Sequence, residues 1–230
     1  MKNIAIITAR SGSKGLKDKN IKELNGIPML AYSIKVAQDS GLFDEIMVST
    51  DSVQYAEIAK QYGAEVPFLR SEKQSSDMAG SWDVVREVLG QYRDMGKQFE
   101  TVCLLQPTSP LRTAEDIKNG YLLLEGKNAE AITAVCEMDH SPLWATTLPE
   151  DGSLKEFREK AGATVPRQKL ETYYRINGAL YIRKVKYVGD RIEILDTEEY
   201  AYVMDRERSV DIDTELDFLV AERLLERGYM

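Results

Sequence analysis

The chain has 230 residues, of which 43% are hydrophobic and 30% are charged, and its formal net charge is −8. This is an ordinary globular composition, which excludes extensive disorder, and the acidic balance argues against nucleic acid as a partner. No stretch approaches the roughly 20 apolar residues that span a bilayer, and both cysteines lie in apolar runs, so we expect a cytoplasmic protein without membrane contact or a disulfide.

The first predicted strand, Ile4–Ile7, runs directly into a loop rich in glycine and positive charge. Gly12 and Gly15 allow a ligand to approach the backbone closely. One acid, Asp18, stands against four cations in or beside the loop: Arg10, Lys14, Lys17 and Lys19. A local excess of cations in an acidic chain indicates a small polyanionic ligand.

This loop matches neither of two common phosphate-binding motifs. A P-loop requires Ser or Thr directly after its lysine, but Lys14 is followed by Gly15, and the dinucleotide fingerprint requires a third glycine. The alternative without a ligand is a plain strand-to-helix loop whose lysines are solvated.

The loop resembles that of the CMP-sialic acid synthetases, also called acylneuraminate cytidylyltransferases. The resemblance rests on eight consecutive residues, Ala9 to Leu16, followed by Lys19-Asn20. It departs from the family at Thr8, where proline is usual, and at Asp18, where asparagine is common. The resemblance implies a nucleotide-binding set in this loop: Ala9, Arg10, Ser11, Gly12, Lys14, Lys19 and Asn20.

The next elements alternate between predicted helices and strands. A helix starting near Pro28 and ending at Gly41 precedes a strand at Glu45–Ser49, and a second helix follows from Val53 to Tyr62. This alternation predicts an α/β fold with a mostly parallel sheet and helices on both faces. The resemblance implies the Rossmann-like nucleotidyltransferase fold, with a protruding dimerisation arm.

A polar loop from Ser71 to Gly80 precedes a helix that we expect to run from Trp82 to Gln91, with Ser81 as its cap. The resemblance places Arg70, Asp77 and Ser81 around the cytosine base. A loop arginine and a capping serine could equally serve the fold alone.

The strand Thr101–Leu105 leads into Gln106–Arg112, which two prolines stiffen. Ligands of open α/β sheets bind beyond the carboxyl ends of strands, so this segment should lie beside the Arg10 loop. The family has a closely similar segment here, which implies that Gln106 touches the sugar acid near its reacting carbon. Thr113 and Asp116 predict a capping box that starts another helix.

After a predicted strand at Ala129–Cys136, prolines and glycines interrupt the pattern. We divide the chain into a nucleotide-binding core at residues 1–137, a dimerisation arm at 138–170, and a return to the core at 171–230. An excursion of this length is the kind of element that crosses to a second subunit. The predicted assembly is a homodimer.

The chain returns to a strand near Tyr173–Ile182, where the family has closely similar residues. The resemblance assigns Arg175, Asn177 and Tyr181 to the sugar side, with Arg167 offered from the arm. Arginines suit a carboxylate substrate because a guanidinium grips a carboxylate through two hydrogen bonds.

Near the end, Ser209–Asp213 alternates polar and apolar residues as a strand does, which places Asp211 and Asp213 on one face. Two neighbouring acids repel unless a cation lies between them, so we predict a Mg²⁺ site. The alternative is a strand-end acid beside a cap, since Thr214 and Asp217 also begin a predicted helix. Its apolar face is predicted to contain Leu216, Leu219, Val220 and Leu224.

The predicted function is Mg²⁺-dependent transfer of CMP from CTP to a nine-carbon α-keto sugar acid, N-acetylneuraminate, with release of pyrophosphate. Arg10, Lys14, Gln106 and Asp211 form the predicted catalytic set. No residue stands out as general base: either Gln106 orients the attacking hydroxyl or a metal-bound water takes its proton.

Several alternatives remain. The sugar acid could be legionaminic or pseudaminic acid. The family's sialic acid enzymes often place an aromatic pair against the sugar's N-acyl group, and the aligned position in this chain is Ile194-Leu195. Eight-carbon keto-deoxy-octulosonate enzymes have a different first loop, and a glycosyltransferase would place its D-x-D motif mid-chain. The non-enzyme alternative is a catalytically silent nucleotide-sugar binding protein.

Overall fold

The structure is a computed structural model that describes residues 2–12, 15–75, 80–159, 166 and 169–228. Two predicted site residues, Lys14 and Arg167, therefore lie outside the described residues, as does Asp77.

The described strands are β1 (Asn3–Thr8), β2 (Glu23–Leu24), β3 (Ile27–Pro28), β4 (Glu45–Ser49), β5 (Thr101–Leu105), β6 (Ala131–Glu137), β7 (Tyr174–Val188), β8 (Arg191–Ile194) and β9 (Glu199–Val203). The described helices are α1 (Met29–Ser40), α2 (Val53–Gln61), α3 (Glu72–Ser75), α4 (Ser81–Asp94), α5 (Ala114–Gly126), α6 (Lys155–Glu159) and α7 (Glu215–Glu226).

Seven of these described strands form one sheet in the order β4-β1-β5-β7-β6-β9, with β8 paired to β7. β1 is parallel to β4 and β5, and β6 is parallel to β9. β7 is antiparallel to β5, β6 and β8. The predicted mostly parallel sheet is thus confirmed, with one long strand running against the others.

Helices cover both faces of the sheet because the first strand is apolar on both sides. Ala5 and Ile7 pack into a cluster with residues of α1, α2 and α5, whereas Ile4 and Ile6 pack into a cluster with residues of α4. A strand buried on both faces is typical of a parallel sheet between helical layers. Burial of each large aliphatic side chain contributes about 1.5–3 kcal/mol.

Several local predictions hold because their signals are local. The bounds of β4 and β5 match those predicted, and Gly41 ends α1. Both capping boxes are present, with Thr113 and Thr214 as the capping residues. Both cysteines are buried free thiols.

The predicted strand at 209–213 is wrong. The segment follows a short 3-10 helix, Arg206–Arg208, and has no regular structure up to the start of α7. The segment bonds to the loop after β5 rather than to a strand, since the amide of Ile212 donates to the carbonyl of Thr108 at 2.8 Å. Ile212 is buried, while Asp211 is half-buried and Asp213 exposed, but Ser209 is also buried, so the predicted alternation holds only at 211–213.

The predicted apolar face of α7 is correct only in part, because Leu224 packs against the core but the other three predicted residues do not. Phe218 and Ala221 are the buried residues of this helix and pack with Leu24, Met29 and Ile212. The apolar side chains of a neighbouring stripe remain exposed: Leu216, Leu219 and Val220. The helix itself therefore has a broad apolar surface, and it buries only one side of that surface against the core.

Residues 138–157 contain no buried residue. They include a short 3-10 helix, Pro142–Trp144, and the beginning of α6, and they expose three leucines: Leu143, Leu148 and Leu154. This segment directly follows β6. At its start, the amide of Met138 donates to the carbonyl of Tyr173, the residue before β7, at 2.9 Å.

Among the described residues, no helix is long and apolar enough to cross a bilayer.

Candidate active site

The candidate site lies where β1, β4 and β5 end. These strands are parallel, so the residues after Thr8, Ser49 and Leu105 meet at one edge of the sheet. The antiparallel direction of β7 brings its first residues to the same edge. The sheet therefore gathers four segments that are distant in sequence.

The start of the glycine-rich loop is fixed by bonds to β4 and its following turn. The amide of Ala9 donates to Ser49 O at 2.9 Å. Ser11 donates to the carboxylate of Asp51 from its amide at 2.8 Å and from its hydroxyl at 3.1 Å. Asp51 was not predicted, although its position directly after a strand was an available signal.

The end of the loop is fixed by buried contacts. Asn20 is buried, and its side-chain amide donates to Arg10 O at 3.0 Å. Tyr55 donates to Asp18 at 3.1 Å. Asn20 therefore closes the loop on itself, and Gly12 is exposed within it.

The same loop docks on the segment that carries the two acids. Lys19 Nζ donates to Asp213 Oδ1 at 2.7 Å and to Ile212 O at 2.8 Å. A Cβ at Gly15 would lie 2.7 Å from the backbone carbonyl oxygen of Asp213. Glycine is needed at this position because a real Cβ would overlap that oxygen.

Arg70 lies against Ser49, the last residue of β4. Its guanidinium donates to Ser49 O at 2.7 Å and to Ser49 Oγ at 3.1 Å, and burial lowers its pKa to about 10. Arg10 is close enough to contribute to that lowered pKa. Ser81 is the first residue of α4, whose N-cap is Gly80, so the predicted serine cap is wrong.

Gln106, Gly178 and Asp211 converge at the end of β5. Gly178 has a φ of +77°, and a Cβ there would lie 2.6 Å from Gln106 Oε1 and 3.6 Å from Asp211 Oδ2. The structure thus brings Gln106, which is expected near the reacting carbon, close to Asp211, one of the two predicted metal ligands.

Asp211 is a half-buried carboxylate with a raised pKa. Burial is the largest cause and the neighbouring Asp213 adds to it, whereas Thr108, Lys19 and Arg175 lower the pKa. The Oδ1 atom of Asp211 is buried and has no hydrogen-bond partner within the described residues.

The described residues contain no group of three or more metal-binding side chains. Mg²⁺ is commonly held by one or two carboxylates together with substrate phosphates. Asp211 and Asp213 are carboxylates of the type that Mg²⁺ prefers, and Asp213 is paired with Lys19 in this structure.

The predicted sugar-side residues differ in accessibility. Arg175 is exposed and donates to Ser209 O at 3.2 Å. Asn177 is 1% exposed, donates to Ser209 Oγ at 2.9 Å and accepts from Ala179 N at 3.1 Å. Both polar groups of Asn177 are thus used within the fold.

Tyr181 is half-buried on the α4 face of the sheet. Its ring lies 6.2 Å from that of Trp82, edge to face, and Arg183 stacks on Trp82 at 4.1 Å from the ring centroid. Ile194 packs into the same cluster, while Leu195 N donates to Lys184 O. Trp82 and Arg183 were not predicted, although Arg183 is two residues from Tyr181 in a strand and so on the same face.

Arg112 is a buried support of the site. Its guanidinium donates to Ala179 O, to Ser33 Oγ and, at 3.4 Å, to Gln106 O. Burial lowers its pKa to about 10. It therefore ties the loop after β5 to α1 and β7.

The chain is similar along most of its length to known proteins. Residues 4–222 match a family model described as Cytidylyltransferase. The CMP-N,N'-diacetyllegionaminic acid synthase of Legionella pneumophila is 34% identical over 235 residues, covering 98% of this chain and 97% of that protein. The N-acylneuraminate cytidylyltransferase of Streptococcus agalactiae is 38% identical over 222 residues, covering 95% of this chain but 52% of that protein.

A solved structure titled as CMP:2-keto-3-deoxy-manno-octonic acid synthetase complexed with CTP shares the fold. Its TM-score is 0.70, the alignment covers 99% of both chains, and the sequence identity is 13%.

Proposed function

This chain belongs to the cytidylyltransferase family, and on that premise we propose that it transfers CMP from CTP to a nine-carbon α-keto sugar acid, releasing pyrophosphate. The observation that carries the proposal is the meeting of the cationic loop, Gln106 and Asp211 at one edge of the sheet. Such a site holds a triphosphate next to an acceptor hydroxyl.

We assign catalysis mainly to positioning of the two substrates and to neutralisation of the phosphate charge. In phosphoryl-type transfer there is little covalent chemistry for the protein to carry out. Arg10 and Lys14 would bind the triphosphate and stabilise charge on the departing pyrophosphate. Lys19 already forms an ion pair with Asp213, and this contact supports a role in linking the phosphate loop to the acids.

Asp211 and Asp213 would hold Mg²⁺, and the buried, unpartnered oxygen of Asp211 supports this role. When bound, the ion supplies positive charge that polarises the phosphate oxygens. Ser11, Gly12 and Ala9 would present backbone to the nucleotide, with Arg70 and Ser81 near the base.

On the acceptor side, Gln106 would orient the attacking hydroxyl. Arg175 and Arg167 would bind the sugar's carboxylate, and Tyr181 would pack against the sugar. Asn177 would support this region from behind, since its side chain is buried. N-acetylneuraminate is our first candidate for the acceptor, and legionaminic or pseudaminic acid is the alternative.

The test is pyrophosphate release with CTP, Mg²⁺ and each nine-carbon acid in turn. We expect release with at least one acid and none with ATP or GTP. Binding of CTP or CMP-sugar without release from any acid would support the catalytically silent alternative. Absence of both would contradict the proposal.

The same panel tests the sugar pocket. Ile194 and Leu195 offer an aliphatic wall, so we expect activity on N-acetylneuraminate with comparable or higher kcat/KM for legionaminic-type acids. A methyl-sized change in an apolar pocket alters discrimination by only about 1–3 kcal/mol. Selectivity of more than about 200-fold for N-acetylneuraminate would show that this wall does not line the pocket.

We also propose that the protein is a homodimer formed through the arm. The exposure of Leu143, Leu148 and Leu154 on a segment with no buried residue supports burial against a second copy. Sedimentation equilibrium should give a dimer, and replacing these three leucines by serine should shift it to monomer. An active wild-type monomer at assay concentration would contradict this proposal.

A further inference from the structure

The turn after β5 contacts both the segment of Asp211 and the segment of Asn177 and Gly178. The carbonyl of Thr108 accepts from Ile212 N at 2.8 Å, and the Thr108 side chain is close enough to the Asp211 carboxylate to lower its pKa. Ser109 Oγ donates to Asn177 O at 3.4 Å, next to Gly178. Thr108 thus holds the acid segment by a backbone bond and has its side chain next to the Asp211 carboxylate.

Gly178 is the second part of this arrangement. The point where its Cβ would stand lies 2.6 Å from Gln106 Oε1, 3.5 Å from Ser109 Oγ and 3.6 Å from Asp211 Oδ2. Because a real Cβ would overlap Gln106 Oε1, any larger residue would displace the carboxamide from its place beside the acid.

We infer that Thr108 and Gly178 are positioning residues that set where the Gln106 carboxamide stands relative to the Asp211 carboxylate. The inference rests on the proposed function, in which Gln106 orients the sugar hydroxyl and Asp211 binds the metal. Thr108 aims the carboxylate through its hydroxyl, and Gly178 leaves the space that the carboxamide occupies.

Thr108 can be tested by a pair of variants that separate its hydroxyl from its bulk. Thr108→Val keeps the β-branched shape and the backbone bond to Ile212 but removes the hydroxyl, whereas Thr108→Ser keeps the hydroxyl. Loss of a hydrogen-bond partner of a metal ligand typically costs about 10- to 100-fold in metal affinity or activity.

The readout is Mn²⁺ binding in the presence of CTP, measured by electron paramagnetic resonance with no sugar acid and hence no turnover. We expect Thr108→Val to weaken Mn²⁺ binding by at least about 10-fold and Thr108→Ser to remain near wild type. Equal Mn²⁺ affinity in wild type and Thr108→Val would overturn the role of Thr108. So would an equal loss in both variants, because that would point to packing rather than to the hydroxyl.

Gly178 is tested against a glycine with a similar backbone. Gly189 has a φ of +57° and no atom of the described residues within 4 Å of its Cβ position. Gly189→Ala therefore measures only the loss of stability from placing a side chain on a residue with positive φ. We expect Gly178→Ala to lower kcat by about 100-fold with little change in the KM for CTP, and Gly189→Ala to leave both unchanged.

A double variant covers the case in which Gly178→Ala is too unstable for kinetics. Gln106→Ala removes the oxygen that the new methyl would meet, so it should restore most of the Tm that Gly178→Ala loses beyond Gly189→Ala. No recovery, or wild-type kcat in Gly178→Ala, would overturn the role of Gly178.

The outcomes keep this inference distinct from the proposed function. If no sugar acid is converted, the proposed function fails, but Mn²⁺ binding and the Tm comparison still decide the positioning roles. If wild type converts a sugar acid while Thr108→Val and Gly178→Ala both behave as wild type, only the positioning inference fails. A wild type that binds no Mn²⁺ with CTP overturns the role of Thr108.

Discussion

Asp211→Asn is expected to lower kcat/KM for CMP transfer by at least about 100-fold while leaving the Tm unchanged or raised. Asparagine has the same shape but no charge, so it can fill the position without attracting a cation.

The expected stability follows from the direction of the pKa shift. Burial raises the pKa of Asp211, so at neutral pH the folded protein ionises this group less readily than the unfolded chain does. A raised carboxyl pKa costs stability at pH values above it, and that cost disappears in the neutral variant. Activity and stability should therefore move in opposite directions, as is common at functional sites.

The measurements are a Mg²⁺ titration of pyrophosphate release and a thermal unfolding curve without metal. Asp94→Asn is the control, because Asp94 is an exposed acid at the far end of α4. Asp213→Asn should also weaken the Mg²⁺ dependence, since Asp213 is the second proposed ligand. An unchanged Mg²⁺ titration and rate in Asp211→Asn would show that the acid belongs only to the scaffold.

The elements that sequence predicted well are those whose cause lies within a few residues. The capping box at Thr113 needs only Asp116, three residues later, and the bounds of β4 and β5 follow from short apolar runs between polar residues. The meeting of the segments after β1 and β5 was also predictable, because parallel neighbouring strands end at the same edge of a sheet.

The elements that sequence predicted poorly depend on distant partners. The alternation at 209–213 would suit a strand, but Ile212 bonds to the loop residue Thr108, and none of the described strands pairs with this segment. On α7, the stripe containing Leu216 and Leu219 is as periodic as the buried one, so only the position of the helix on Met29 and Leu24 decides which side is covered.

The contacts of individual site residues were the least predictable. Lys19 was expected on the triphosphate, and nothing local indicates that it lies against Asp213 near the other end of the chain. Asn177 was expected on the sugar, but its burial follows from its contact with Ser209. Motifs indicate which residues are needed, whereas three-dimensional packing decides which of them face the ligand.

Gly15→Ala is expected to lower kcat/KM by about 100-fold, because it separates the phosphate loop from the acid segment. The added methyl would stand 2.7 Å from Asp213 O, a backbone atom that cannot rotate away. The loop or the acid segment must shift, and a displacement on the order of 1 Å can cost about 100-fold in rate. The Lys19–Asp213 ion pair, at 2.7 Å, should lengthen with it.

Two alanine variants show whether the loss comes from this contact. Gly126→Ala lies at the end of α5 with no atom within 4 Å of its Cβ position and should behave as wild type. Gly12 also has no atom of the described residues within 4 Å of its Cβ position, so a loss in Gly12→Ala would point to a contact with the nucleotide. Gly12→Ala should therefore weaken CTP binding in calorimetry, while its Mn²⁺ affinity without nucleotide stays that of wild type.

Gly15→Ala should show the opposite pattern to Gly12→Ala, because its methyl acts on Asp213 even when no nucleotide is bound. Mn²⁺ binding without CTP should weaken in Gly15→Ala, and the Tm should fall, since overpacking against a fixed backbone typically costs about 1–3 kcal/mol. Wild-type kcat/KM and Mn²⁺ affinity in Gly15→Ala would mean that the loop and the acids act independently. The glycine would then serve only the path of the chain.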